Sequence, residues 1–157
     1  GTDKEHFSPF DNLARAQFAV ILHRLNDEPK MPYTNRFNDV GAGIWYTDAI
    51  LWANSIGVVN GYSDTGLFGP GDYINREQMA VMMYRYANYL GYDTSRKADY
   101  GNFSDGSSVN GFAKEAMSWA VGMKIITGKD NGTRLDPQGN AARAECAAII
   151  QRFIEKY

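Results

Sequence analysis

One five-residue pattern occurs three times in this chain, and it constrains the fold more than any other feature. Leu13–Ala14–Arg15–Ala16–Gln17, Ile74–Asn75–Arg76–Glu77–Gln78 and Ala141–Ala142–Arg143–Ala144–Glu145 hold the same place in three segments. A proline stands six residues before each arginine, at Pro9, Pro70 and Pro137. A second arginine stands nine residues after it, at Arg24, Arg85 and Arg152. Recurrence at fixed offsets marks a repeat protein, in which each unit covers its apolar face with its neighbours.

Alignment on the arginines gives a partial first repeat over 1–27, a second over about 37–90 and a third over about 103–157. The complete repeats open with Phe–x–Asp, at Phe37–Asn38–Asp39 and Phe103–Ser104–Asp105. A helix is expected after each, over about 46–56 and 112–123. Ala49, Ile50, Trp52 and Ala53 match Ala116, Met117, Trp119 and Ala120 there, one apolar face of a helix. A glycine turn follows, at Gly57 to Gly61 and at Gly128, then a loop of turn-forming residues ending in Pro70 or Pro137. The arginine motif then opens a second helix. Phe18, Ile21, Leu22 and Leu25 become Met79, Met82, Met83 and Tyr86, then Cys146, Ile149, Ile150 and Phe153. That spacing is i, i+3, i+4, i+7, a core-facing stripe. Asn75 and Gln78 make a capping-box pair, whereas Ala14 and Ala142 lose the side-chain cap. Linkers are expected at 26–35 and 91–102. Gly1 aligns with Gly61 and Gly128, so the first repeat lacks its own first helix. Either a preceding segment or another copy of the chain is expected to complete it.

Composition excludes several classes of function. Lys+Arg 16 against Asp+Glu 18 gives a net charge of -2, which removes the basic footprint of a nucleic-acid binder. No apolar run reaches membrane-spanning length. The single cysteine, Cys146, forbids an internal disulfide and falls on an apolar helix face, as a buried thiol would. His6 and His23 are the only histidines, and neither has a repeat counterpart. No serine stands in a nucleophile elbow and no glycine-rich phosphate loop is present. The 60–66 loop lacks the spaced ligands and closing glutamate of a calcium site. No catalytic residue, metal site or cofactor is expected.

The ordered set Phe37–Asn38–Asp39–Val40, Trp45–Tyr46, Ala49–Ile50, Gly57 and Gly61, Phe68–Gly69–Pro70 and Ile74–Asn75–Arg76–Glu77–Gln78 resembles the S-layer homology repeat. The resemblance covers essentially the whole chain. It implies a single all-α domain in which pseudo-threefold helical repeats surround a central helix bundle, the first repeat being incomplete. It also implies a non-catalytic module, exported to the bacterial cell surface, that anchors non-covalently to a secondary cell-wall polysaccharide, often pyruvylated. The arginine of the motif is then the recognition residue and grooves between repeats are the sites. The chain departs from the family pattern where Gly111–Phe112 replaces Trp–Tyr and Lys124 replaces glycine.

The chemistry suits such a ligand. A guanidinium pairs bidentately with a carboxylate, and in a first helical turn it lies beside backbone N–H groups. The expected glycan contacts are Arg15, Arg76 and Arg143, with Trp45, Tyr46 and Tyr62 offering flat faces to a sugar and Gly61 and Gly128 letting it approach the backbone. Each arginine could instead pair with Asp39 or Asp105 and pin the repeats together. Arg24, Arg85 and Arg152 read as surface or inter-repeat salt bridges. Trp52, Trp119, Phe37 and Phe103 read as core, and Asp39 and Asp105 as caps of the turn that follows them. The other function considered is a protein interaction or self-association module that keeps the fold without binding glycan.

Overall fold

A computed structural model describes residues 10–157; Gly1, His6 and Pro9 of the first segment lie outside it. Among the described residues the chain is helical, with β pairing confined to isolated bridges. The helices are α1 (Arg15–Leu25), α2 (Thr47–Ser55), α3 (Arg76–Tyr89), α4 (Lys114–Gly122) and α5 (Arg143–Lys156). All five fall where the repeat alignment expects them. A 3₁₀ turn at Gly111–Ala113 occupies the first residues expected for α4, and α4 proper starts at Lys114.

The chain forms two compact units, Ala14–Ile74 and the described residues 10–13 with Asn75–Tyr157. Their boundaries fall just before the arginines, not at the Phe–x–Asp repeat starts. In the 14–74 unit α1 packs against α2. Phe18, Leu22, Phe37, Ile50 and Phe68 are sealed from water, and the Phe37 and Phe68 rings meet at 5.6 Å. His23 is packed rather than solvated: its ring lies 5.5 Å from Trp52 and its Nε2 is 2.8 Å from the Pro29 carbonyl oxygen. In the other unit α3 packs against α4, and Trp119 is buried between the rings of Tyr84 and Phe153, at 5.5 and 6.4 Å. Aromatic pairs of this kind add about 0.5–1.5 kcal/mol beyond the area they bury. Trp119 Nε1–H donates to the Tyr157 hydroxyl, which donates to the Asp93 carbonyl.

The apolar stripes are buried as expected at Phe18 and Leu22, at Met79, Met82, Met83 and Tyr86, and at Cys146, Ile149 and Phe153; Ile21 and Ile150 are only half-buried, and Leu25 is 44% exposed. Burial on α1 and α3 is wider than one stripe. Ala16, Ala19 and Val20 on α1, and Ala80, Val81 and Ala87 on α3, are buried too. On α5 only Cys146, Ile149 and Phe153 are buried, the single-sided pattern of a surface helix.

The start of α3 has the expected reciprocal cap. Asn75 Oδ1 accepts from Gln78 N–H at 2.8 Å, and Gln78 Oε1 accepts from Asn75 N–H at 3.0 Å. At α1 half of that pair survives, with Ala14 N–H donating to Gln17 Oε1 at 2.9 Å.

Candidate functional site

The helix starts that carry the arginines are closed by the proline loops. Arg15 N–H donates to the Asp72 carbonyl at 2.8 Å and Ala16 N–H to that of Pro70 at 3.2 Å. Arg76 N–H donates to Gly139 at 3.0 Å and Glu77 N–H to Pro137 at 2.8 Å. Arg143 N–H donates to Asp11 at 2.9 Å. With Gln78 N–H on Asn75, the first three amides of α3 are all taken. At α3 no first-turn amide is left open to an anion, whereas the loop carbonyls take two such amides at α1 and one at α5. At α3 an anion could therefore be met only by side chains.

Each proline loop is in turn held by an aspartate some thirty residues upstream. Asp39 accepts from Phe68 N–H at 2.9 Å and Gly69 N–H at 2.7 Å. Asp105 accepts from Leu135 and Asp136 N–H, both at 2.8 Å. Asp39 and Asp105 thus tie down a distant loop, not the turn beside them, and neither forms an ion pair with an arginine of the motif among the described residues.

Arg15 is 7% exposed. Its Nε–H donates to the Phe68 carbonyl at 2.9 Å, and its guanidinium carbon lies 4.6 Å from the Tyr62 ring centre and 5.0 Å from that of Phe68. Burial lowers the Arg15 pKa from its ordinary value, while Tyr62, Asp72 and Asp39 act the other way. Tyr62 is fixed over the cation because its hydroxyl donates to Asp72 Oδ2 at 2.8 Å. Burial and that hydrogen bond push the Tyr62 pKa up, so it stays a neutral phenol.

Arg76 is 5% exposed and uses the same backbone contact, Nε–H to the Leu135 carbonyl at 2.7 Å. Its Nη1 is paired with Glu145 Oε2. Lys129 Nζ sits 3.8 Å from Glu145 and 2.7 Å from Asp136 Oδ2, and that bond holds the Asp136 carboxyl below its ordinary value. Arg76, Gly128, Lys129, Glu145, Ile149 and Arg152 line a cleft of about 320 Å³. Arg152 Nη1–H donates to the Ile125 carbonyl at 3.1 Å.

The expected contacts thus fall into separate groups. Arg15 joins Tyr62, and Arg76 joins Gly128. Trp45, 66% exposed, makes an edge contact with Tyr46 at 5.0 Å between ring centres. Arg143 is half-buried beside Cys146, whose thiol burial pushes up to about 12. Gly61 has a packing reason of its own. At φ +77° its missing Cβ would sit 2.7 Å from Phe37 and 2.8 Å from the Leu67 carbonyl, so that space is not open to a ligand. Gly128 has the same constraint against Phe103, yet also lines the Arg76 cleft.

Sequence reasoning missed Asp72, Lys129, Glu145 and Arg152. Arg152, the second arginine of its repeat, gives Nη1–H to the Ile125 carbonyl, where the sequence leads one to expect a salt bridge. Glu145 carried a signal: the matching residues of the other repeats are Gln17 and Gln78. Arg24, by contrast, is on the helix surface with Glu28, 3.5 Å away. No cluster of metal-binding side chains occurs among the described residues.

The model of the S-layer homology domain matches residues 36–80 and 102–147. An amylopullulanase of Thermoanaerobacterium thermosulfurigenes is 32% identical over 156 residues, 99% of this chain and 8% of that protein. A surface-layer 125 kDa protein of Lysinibacillus sphaericus is 29% identical over 157 residues, 99% of this chain and 13% of that protein. A cellulosome-anchoring protein of Acetivibrio thermocellus is 29% identical over 157 residues, 96% of this chain and 34% of that protein. The chain spans only a small part of each of these relatives. The matched segments cover both complete repeats, from Phe–x–Asp to the arginine helix, and the chain therefore belongs to the S-layer homology domain family.

Proposed function

We propose that this chain is a non-catalytic module that holds a longer parent protein at the bacterial cell surface by binding a carboxylate-bearing secondary cell-wall polysaccharide. The observation that carries the reading is Arg15. It is a buried guanidinium that makes no ion pair among the described residues, is fixed through Nε, and leaves its Nη groups unbonded but not sealed from water. Asp72 and Asp39 favour the cation from a distance, but neither pairs with it directly, so a ligand carboxylate can supply the contact partner. A planar guanidinium against the Tyr62 ring suits a sugar that bears a carboxylate. The relatives agree with attachment rather than catalysis: the matched region forms a small part of an amylopullulanase, and it recurs in proteins named for the surface layer and for anchoring.

The test is sedimentation with purified cell walls, before and after chemical removal of the secondary polymer. Wild type should co-sediment only with untreated walls. Arg15→Ala should lose most of that binding with little change in thermal midpoint. Equal sedimentation of mutant and wild type would remove Arg15 from the site.

A further inference from the structure

The Arg15 and Arg76 sites begin alike and finish differently. Each guanidinium gives its Nε–H to a backbone carbonyl of a proline loop, Phe68 or Leu135. At Arg15 the neighbouring loop position holds Tyr62, whose ring covers the cation; at Arg76 the matching position holds Lys129. Arg76 also has what Arg15 lacks, a carboxylate already on its Nη1, that of Glu145. Glu145 occupies the place a ligand carboxylate would take on Arg76. A second carboxylate on the same Nη1 would face Glu145 at close range and be repelled by it, a repulsion that Lys129 and Arg152 in the same cleft offset only in part.

Resting on the glycan reading above, we infer that the two sites read different parts of the polymer. Arg15 takes the anionic sugar. The Arg76 cleft takes an uncharged sugar unit, held through its hydroxyls by Glu145, Lys129 and Arg152. A fixed carboxylate accepts hydrogen bonds from neighbouring hydroxyls, and Lys129 and Arg152 donate to hydroxyl or ring oxygens. A cleft of about 320 Å³ is small and suits one sugar ring. Glu145 is then the specificity-determining residue, because it converts an anion seat into a hydroxyl seat.

The experiment uses the full chain, calorimetry, and soluble fragments of the wall polysaccharide in two forms, with carboxylates intact and with carboxylates reduced to alcohols. Wild type should bind the reduced form more weakly. Arg15→Ala should bind both forms equally. Glu145→Gln should bind the intact form about tenfold more tightly, the gain expected of one added charge-assisted contact, and should not bind the reduced form better. Glu145→Ser reads the same way if the glutamine variant fails to fold by circular dichroism. The inference is overturned if wild type binds while both Glu145 variants keep its two affinities, since Glu145 would then be only a tie for Arg76. It is also overturned if Arg15→Ala still discriminates between the forms. Failure of wild type to bind either form would bring down the glycan reading itself, and this inference with it.

Discussion

Replacing Asp39 with alanine should destabilise the 14–74 unit by about 3 kcal/mol. The Asp39 carboxylate accepts two backbone hydrogen bonds, from Phe68 and Gly69, at 2.9 and 2.7 Å. A hydrogen bond to a charged group contributes about 1.5–3 kcal/mol, so two give about 3–6. Asp39 is only half-buried, so water recovers part of the loss and the lower end applies. For a chain of this size 1 kcal/mol moves the thermal midpoint by about 2–4 °C, which puts the expected drop near 6–12 °C. Asp39→Asn, which keeps one acceptor oxygen, should lose roughly half as much. Circular dichroism melting gives the midpoint, and amide hydrogen exchange at Phe68 and Gly69 gives the local reading. Both amides should lose protection in Asp39→Ala before the rest of the unit does. The Phe68 carbonyl that holds Arg15 moves with the same loop, so wall binding should fall as well. A midpoint within about 2 °C of wild type, with Phe68 and Gly69 still protected, would refute the reasoning.

Three further outcomes are expected. Gly61→Ala should cost about 3 kcal/mol, because φ +77° strains any side chain and the new Cβ would meet Phe37; Gly57→Ala, at φ +81° with nothing within 4 Å, should cost only about 1 kcal/mol. Equal melting of the two variants would count against that packing argument. Cys146 should resist iodoacetamide at pH 8 in the native protein and react once denaturant is added, since burial pushes its thiol up to about 12. With the folded value above the unfolded value of about 8.5, its stabilising contribution is complete below that pH and is lost as pH climbs towards about 12; rapid native alkylation would contradict this. Trp45→Ala should leave stability within about 0.5 kcal/mol, as its ring is 66% exposed, while wall sedimentation weakens. Unchanged sedimentation would remove Trp45 from the site.

The helices were legible because their evidence is local. The stripe from Met79 to Tyr86 and the Asn75–Gln78 pair are written within one or two turns of chain, and the structure keeps both. The wide burial of α1 and α3 was only half legible: Ala16, Ala19, Ala80 and Ala87 are small and apolar enough for it, but nothing in them says what covers them. The site was harder. Backbone carbonyls at Asp72, Pro70, Gly139 and Pro137 carry no side-chain signature, so their closure of the helix starts left no mark in the sequence. The aspartates were visible as part of Phe–x–Asp, but a partner thirty residues away cannot be read from spacing alone. Glu145 was legible in principle, as the one acidic residue where the other repeats carry glutamine. What hides it is that its partner, Arg76, lies 69 residues away, beyond the reach of spacing.

The carbonyl closures bear on how pieces of this family can be cut and joined. Residues 37–90 contain Arg76 but not the loop that seals its helix, which lies at 137–139. Such a fragment would begin α3 with two bare amides and an arginine whose Nε has lost its acceptor. Residues 14–74 carry both a helix start and the loop that shuts it. Grafts or chimeras between relatives should therefore join just ahead of an arginine, where each lock keeps its own key.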